Sequence, residues 1–482
     1  MRNSKLIKSL SNLNEKEMDA FHAFVASPYF NKNNELLAFL ELILAEDISG
    51  GGDMDKNLIL SKLFPGKTYQ ERWLPDLMYG LMNLLEDFLA EEKYRQNKFQ
   101  RKINLMMLAY EKDLEPVING IERDLEQLHI QNPVRDSNYF YESFMIHSER
   151  DYSFRLSGKI TENESLQAKA DQLDLFYLSL KLKDSCEMLN RSRIVSAHYD
   201  FKMVDTVIAY LQAHPDAYQQ YPAIQVYLYY YLMLTDAAHE KYFFELKELI
   251  QNSELVFTRD ELRSLYTYLQ NYSIRRINQG GVAFNEELFQ IYKHIFGNGL
   301  VFGDNKNMQW DFKNFVSLGL RMKEFDWTLN IINVFKDHLP ETSRDNAYSY
   351  NLANYYYETG EYKKATKLLN AVEFTEIFYS LDAKAMLLKI YYKVEEEESF
   401  YSLVSSFGIY LRRNKLISKD NAEVYSNLLR FTKKAFLLKT KLPYERKKDY
   451  YRKVSLLKQD IHHTQRIMNI NWLLQEVEAL EG

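Results

Sequence analysis

The sequence predicts an all-α protein, and three observations carry that prediction. Glycine and proline, which punctuate turns and break helices, number only 16 and 9 among 482 residues. Apolar residues recur at helical spacing through most of the chain. The abundant Tyr (37) and Phe (29) nowhere form a regular succession of short alternating strands bounded by turn residues. With 46% hydrophobic and 27% charged residues, the chain has the composition of a folded protein rather than a disordered one. Its length suits about two to four domains or one extended helical-repeat solenoid.

The elements follow in order. Asn14 is placed to cap a helix with Glu17 at its third position, and Leu13 and Met18 stand where a hydrophobic staple sits. Met18, Phe21 and Val25 mark the inner face of that helix. Ser27-Pro28 ends it, because a residue before proline avoids the right-handed helical region. Leu36, Phe39, Leu40, Ile43 and Leu44 line one side of a second helix. The glycine cluster "ISGGGD" (48–53) reads as a loop, and a short helix from Asp55 to Phe64 meets the turn Pro65-Gly66-Lys67. A long helix follows, with Trp73, Leu77, Leu81, Leu84 and Phe88 facing inward. Beyond it the pattern stays helical without an alignable repeat, and Thr161 and Glu164 have the spacing of a capping box. Pro215 and Pro222 mark a soft boundary. The expected organisation is an N-terminal helical domain (1–100), a helical linker or bundle (101–215), an array of helical hairpins (216–466) and a capping helix (467–482). In that last helix Trp472, Leu473 and Val477 are expected to pack back on the array.

The array rests on one stretch, "YNLANYYYETGEYKKATKLLNAV", Tyr350 to Val372. Ala353 and Ala365 are small residues where two antiparallel helices would cross, and Gly360 suits the left-handed residue that ends the first of them. Leu352, Tyr356, Tyr362 and Leu369 stand at the large apolar positions. This stretch resembles one unit of a tetratricopeptide repeat (TPR), a helical hairpin of about 34 residues. Upstream, Phe312, Phe325, Ile332 and Pro340 keep the frame, while Lys323 replaces the turn Gly and Thr328 replaces the crossing Ala. Downstream, Leu387 and Tyr391 keep it, while Glu395 and Phe400 depart at those same two positions. Further hairpins are expected at 222–252, 258–297 and 420–466 from amphipathic pairing. The chain therefore resembles bacterial TPR-like helical proteins, which implies a TPR-like solenoid preceded by an N-terminal helical region.

The resemblance implies no cofactor and no reaction. It implies a protein or peptide partner, held in a concave groove lined by the first helix of each hairpin. Carried over residue by residue, the frame puts Lys313, Asn314, Ser317 and Arg321 on that groove from the first unit, Tyr350, Asn351, Asn354 and Tyr357 from the second, and Lys389, Tyr392 and Lys393 from the third. Asn amides would bond a ligand's backbone, and Lys and Arg would favour acidic side chains. The family's clamp for a C-terminal carboxylate needs basic residues where Asp382 and Met386 stand, so this groove departs from it.

Other chemistry finds little support. "LFPGKT" ends like a phosphate-binding loop but has Ser61 where the first Gly is required. His462 and His463 are adjacent, so they diverge by about 100° on a helix and cannot act as an i, i+4 metal pair. The single cysteine, Cys186, lies in an apolar helical pattern and reads as a structural thiol. No catalytic constellation is present, and the chain is expected to be non-enzymatic. "MRNSKLIKSLSNLNEKEMDAF" lacks the apolar core of about 7–15 residues of a secretory signal. "AIQVYLYYYLML" is too short to span a bilayer. A cytoplasmic protein is expected.

Charge is uneven. The net charge is −6, yet 409–466 holds 16 Lys and Arg against 5 Asp and Glu. Lys433, Lys434, Lys447, Lys448, Arg452 and Lys453 are expected on the exposed face, opposite Leu428, Leu438, Val454, Leu457 and Ile461. This face either balances the acidic remainder or docks a polyanion, which makes nucleic acid the alternative partner. A helix-turn-helix at Pro65-Gly66-Lys67 is disfavoured because Asp76, Glu86, Asp87, Glu91 and Glu92 on its second helix would repel phosphates.

Overall fold

The computed structural model describes residues 4–45, 56–66, 72–158, 161–195, 197–236, 240–302, 308–371, 377–441 and 446–481. The loop expected at 48–53, and Asp55, Lys67 and Val372 at the ends of expected elements, lie outside them. The described residues form 24 α-helices and one short 3-10 turn, with no strand among them. The protein is all-α. It divides into two compact units, Met1–Asp236 with Leu255–Phe257, and Ala237–Glu254 with Thr258–Gly482. That division follows contacts, whereas the four segments read from the sequence follow composition and helix breakers.

The first unit contains α1 (Lys5–Leu10), α2 (Glu15–Ala26), α3 (Asn34–Ala45), α4 (Lys56–Leu63), α5 (Trp73–Gln96), α6 (Lys98–Glu111), α7 (Glu115–Gln131), α8 (Ser137–Leu156), α9 (Glu164–Val195), α10 (Val204–Ala213), α11 (Pro215–Tyr218) and α12 (Pro222–Thr235). The capping box on α2 forms: Asn14 Oδ1 accepts from the Glu17 amide at 3.0 Å, and Glu17 Oε2 accepts from the Asn14 amide at 2.9 Å. Phe21, Phe39, Leu40, Ile43 and Leu81 are shut off from solvent in one core shared by α1 to α5. Each such side chain stabilises the fold by roughly 1.5–3 kcal/mol. The capping box expected at Thr161 does not form, since α9 opens at Glu164 and Asn163 Oδ1 accepts from the Ser165 amide instead. Asn163 also donates to Asp151, a buried carboxylate paired with Lys169 at 2.7 Å, and that network fixes the entry of α9. Cys186 is buried on α9 and donates to the Tyr227 carbonyl of α12 at 3.3 Å. Burial pushes its pKa well up, so the thiol stays protonated and inert.

The second unit contains α13 (Lys241–Asn252), α14 (Arg259–Asn278), α15 (Phe284–Gly297), α16 (Met308–Arg321), α17 (Phe325–His338), α18 (Glu341–Glu358), α19 (Tyr362–Ala371), α20 (Ile377–Val394), α21 (Glu397–Arg413), α22 (Lys419–Lys441), α23 (Lys447–His463) and α24 (Ile470–Glu478). Because α12 packs on α9 in the first unit and α13 belongs to the second, the stretch 222–252 is divided between units rather than being one repeat. From α14 to α23 the helices pack as successive pairs, and α16, α18, α20, α22 and α24 also contact one another in that order.

One backbone device ends the first helix of three consecutive pairs. Gly360 has φ +80°, and Lys323 and Glu395 have φ +60° and +56° in the corresponding places. In each, the following amide reaches back to a carbonyl five residues earlier: Glu324 to Gly319 at 2.9 Å, Glu361 to Tyr356 at 2.7 Å and Glu396 to Tyr391 at 3.2 Å. This is the Schellman closure, which satisfies carbonyls that a helix end would otherwise leave unpaired. The loss of glycine at positions 323 and 395 thus does not change the turn. The same closure occurs in the first unit at Asp113 (φ +53°), where the Leu114 amide bonds the Ala109 carbonyl at 2.9 Å between α6 and α7.

The crossing of the two helices is also kept, with the small residue moved. In α18/α19 it is Ala353 against Ala365, both fully buried. In α16/α17 the crossing residue is the larger Thr328, and Gly319 on the facing helix makes the room: a Cβ there would lie 2.3 Å from Thr328 Oγ1 and 2.9 Å from the Trp327 ring. In α20/α21 the crossing residue is Phe400, fully buried and stacked on Phe436 of α22 at 4.0 Å. Gly319→Ala is expected to lower unfolding stability by about 1–3 kcal/mol through overpacking. Adding Thr328→Ala to that chain should recover part of the loss, as equilibrium urea unfolding will show.

Candidate functional site

The first helices of the three consecutive pairs carry stripes at i, i+4 and i+7 or i+8, positions that share a helix face. On α16 the stripe is Lys313, Ser317 and Arg321; on α18 it is Tyr350, Asn354 and Glu358. Asp382, Met386 and Lys389 continue it on α20. These residues line one cavity of about 640 Å³, within the size range of about 300–1,000 Å³ typical of ligand sites. Its remaining wall comes from the chain's last turn and α24, through Met468, Asn469, Asn471, Trp472 and Gln475.

The floor is a cross-helix ion pair. Asp382 on α20 holds the Lys313 ammonium of α16 through one oxygen, and its other oxygen accepts from the Tyr425 hydroxyl of α22 at 2.6 Å. The pair is mostly buried, with side chains 11% and 23% exposed. Lys313 also lies over the rings of Tyr350 (5.4 Å), Trp310 (5.7 Å) and Tyr379 (5.9 Å), where a cation is attracted to the ring faces. Burial, and then the Asp382 carboxylate, pushes the Tyr425 and Tyr350 hydroxyls well above their ordinary pKa. Both stay protonated, and Tyr425 stays a donor.

The residues assigned to the groove from the sequence are separated by the structure. Lys313, Ser317, Arg321, Tyr350, Asn354 and Lys389 line the cavity. Asn351 is fully buried, and its amide donates to the Ala347 carbonyl of its own helix at 2.9 Å. It sits about 100° round the helix from Tyr350 and so faces a neighbouring helix. Tyr357 and Tyr392 are buried as well; Tyr392 packs against Phe436 and Trp472, and Tyr357 lies beneath Lys389. These three form the walls between helices rather than the groove surface. Asn314 is exposed and lines a smaller cleft of about 240 Å³ with Asn271 and Asp311. Lys393 is exposed and pairs with Glu476 of α24 at 2.6 Å. The repeat frame places Asp382 and Met386 at groove positions, as found, but no spacing along the chain brings Tyr425 and the 468–475 segment to the same site. Lys313 and Asp382 are 69 residues apart, and no local spacing reports such a pairing.

The basic helices are arranged as their periodicity predicts. Leu428, Leu438, Val454, Leu457 and Ile461 are buried, and Lys433, Lys434, Lys447, Lys448, Arg452 and Lys453 are exposed. Several cations of the region face carboxylates: Lys434 pairs with Asp460 (3.1 Å), Lys439 with Glu395 (3.1 Å), Lys458 with Glu478 (2.9 Å) and Arg466 with Asp420 (2.8 Å). Arg452 lies 3.7 Å from Asp449. Part of this charge is therefore neutralised within the fold. A second cavity, about 610 Å³, lies between α6 and α7 in the first unit, lined by Lys98, Arg101, Leu105 and the Lys102–Asp124 pair. Its Lys98, Arg101 and Leu105 are exposed, so it is a surface dish without an organised floor.

Comparison with family models, curated proteins and solved structures gives no match. Among the described residues, no helix is long and apolar enough to cross a membrane.

The floor pair has a measurable consequence. Asp382→Ala leaves Lys313 and Tyr425 without their acceptor, and a loss of about 2–3 kcal/mol is expected, below the full cost of a buried broken pair because both groups keep some water. Asp382→Ala with Lys313→Met should lose less. Urea unfolding of the two variants measures the difference; an Asp382→Ala cost under about 0.5 kcal/mol would mark the pair as a surface contact.

Proposed function

We propose that this chain is a non-enzymatic scaffold, a TPR-like helical-repeat protein acting in the cytoplasm of a bacterium, that holds another protein in the groove of α16, α18 and α20. One observation carries the reading: three consecutive hairpins present their first helices to one cavity, and six side chains that the repeat frame assigns to a partner line it. The lining is mixed in chemistry. Amides at Asn354, Asn469, Asn471 and Gln475 suit a peptide backbone, and Arg321 and Lys389 suit acidic side chains. The floor is fixed by a salt bridge and aromatic rings, so the site is preorganised and a partner need not order it.

The alternative, a nucleic-acid factor using 409–466, has in its favour the exposed Lys447 and Lys448 at the start of α23. Against it, four of the region's sixteen cations already pair with carboxylates at 3.1 Å or less among the described residues: Lys434, Lys439, Lys458 and Arg466. The two readings separate in one experiment. The tagged chain is used for capture from its native cells with and without nuclease, alongside Arg321→Glu with Asn354→Ala, and Lys447→Glu with Lys448→Glu. Arg321 is exposed and Asn354 is only partly buried, so the groove variant is expected to fold. The groove reading expects a stoichiometric protein that survives nuclease and is lost, by about tenfold or more, only from the groove variant. Capture that ignores the groove variant, or that disappears with nuclease and with the Lys447/Lys448 variant, contradicts it.

A further inference from the structure

Among the described residues, the groove contains a cation with no carboxylate in ion-pair contact. Lys389 projects from α20 into the cavity and is partly buried. Its ammonium lies 4.3 Å from the centre of the Tyr357 ring and 5.6 Å from that of Trp472. Among the described residues, no carboxylate oxygen comes within 4.0 Å of it. The acids around it are otherwise placed: Asp382 serves Lys313 and Tyr425, and Glu476 serves Lys393. Glu358 is exposed at the cavity edge, beyond pairing distance. Burial lowers the Lys389 pKa, Lys393 adds to that effect, and the fields of Glu358 and Glu476 oppose it. A sequestered ammonium is a costly arrangement unless a partner meets it, and the two rings offset only part of the cost.

We propose that Lys389 anchors a single carboxylate from an acidic segment of the protein partner. The inference rests on the groove reading and names the chemistry that the groove selects. One negative charge on Lys389 completes a charge-assisted hydrogen bond in a partly buried site. A doubly charged group such as a phosphate would meet Asp382 and Glu358 on the same cavity wall, so a monoanionic carboxylate is favoured. The amides of Asn354, Asn471 and Gln475 line the cavity around the anchor and suit the backbone of the segment that carries it. The 468–475 segment walls one side of the groove, so the segment enters alongside α24.

The test uses the full chain and two blocked synthetic peptides, hexaglutamate and hexaglutamine, by isothermal titration calorimetry at low ionic strength. Hexaglutamate is expected to bind at least about tenfold more tightly than hexaglutamine, and Lys389→Met to remove that preference while Lys389→Arg keeps most of it. Lys447→Glu with Lys448→Glu should leave it unchanged, which excludes attraction to the basic helices. Lys389→Met removes a cation whose desolvation the two rings only partly offset, and the Met side chain can still pack on those rings, so its urea midpoint should equal or exceed that of the original chain and loss of folding will not mimic loss of binding. Equal binding of hexaglutamate by Lys389→Met, no preference for hexaglutamate, or loss of it with the Lys447/Lys448 variant overturns the proposal. The same variants in cellular capture separate the two ideas. A protein lost from Arg321→Glu with Asn354→Ala but kept by Lys389→Met leaves the groove reading standing and the carboxylate anchor wrong. A protein kept by both variants defeats the two together.

Discussion

The second unit depends on a residue that L-amino acids resist adopting. For a helix to end and its partner to fold back within three residues, one residue must take φ near +60°, which costs about 1–2 kcal/mol for anything but glycine. Lys323 and Glu395 accept that cost, and Gly360 avoids it. In return the next amide closes on a carbonyl five residues back, and the chain leaves the helix in a direction that brings the second helix onto the first. One net hydrogen bond is worth about 1 kcal/mol, so it roughly offsets the strain. The decisive gain is the interface that the turn makes possible, with residues such as Phe312, Ile332 and Phe335 fully removed from solvent.

Repetition of that turn is what aligns the groove face. Because the first helices of three pairs end in the same way, their stripes at i, i+4 and i+7 or i+8 come to one cavity. The groove then acquires features that no single hairpin has. Asp382 reaches α16 and α22 at once, and Lys313 is held among rings from three helices. The sorting of charge inside the groove has the same origin. Asp382 and Glu476 are each claimed by another lysine, and among the described residues Lys389 is met by the Tyr357 and Trp472 rings rather than by a carboxylate in pairing distance.

Much of this was legible in the sequence where one side chain determines the outcome locally. Gly360, Ala353 and Ala365 mark a turn and a crossing by their size, and Asn14 with Glu17 marks a helix start by spacing. The capping box at Thr161 was misread because Asn163, two residues on, competes for the same role with a shorter reach. Lys323, Glu395 and Asp113 hide the turn they make, since nothing in their chemistry asks for a left-handed backbone. Thr328 looked like a broken crossing because the compensating Gly319 lies on the opposite helix, where spacing along one face does not reveal it. In the groove, helical periodicity picks out a face but not which half of it meets the neighbouring helix. For that reason Asn351, Tyr357 and Tyr392 were grouped with Asn354 and Lys389 although they are buried. The frame reaches Asp382 but not its pairing with Lys313, and Tyr425 and the residues of 468–475 come from distant parts of the chain, so only the packed structure brings these together.

The most direct test of this account is the urea unfolding midpoint of Lys323→Gly. In a right-handed helical position glycine costs about 1 kcal/mol. At a left-handed one it removes strain of about that size or more. The account predicts that the midpoint of Lys323→Gly is held or raised, because residue 323 closes the turn between α16 and α17 with φ +60°. A midpoint lowered by the full cost of a helical glycine would contradict the shared turn, and with it the alignment of the three helices on which the groove depends.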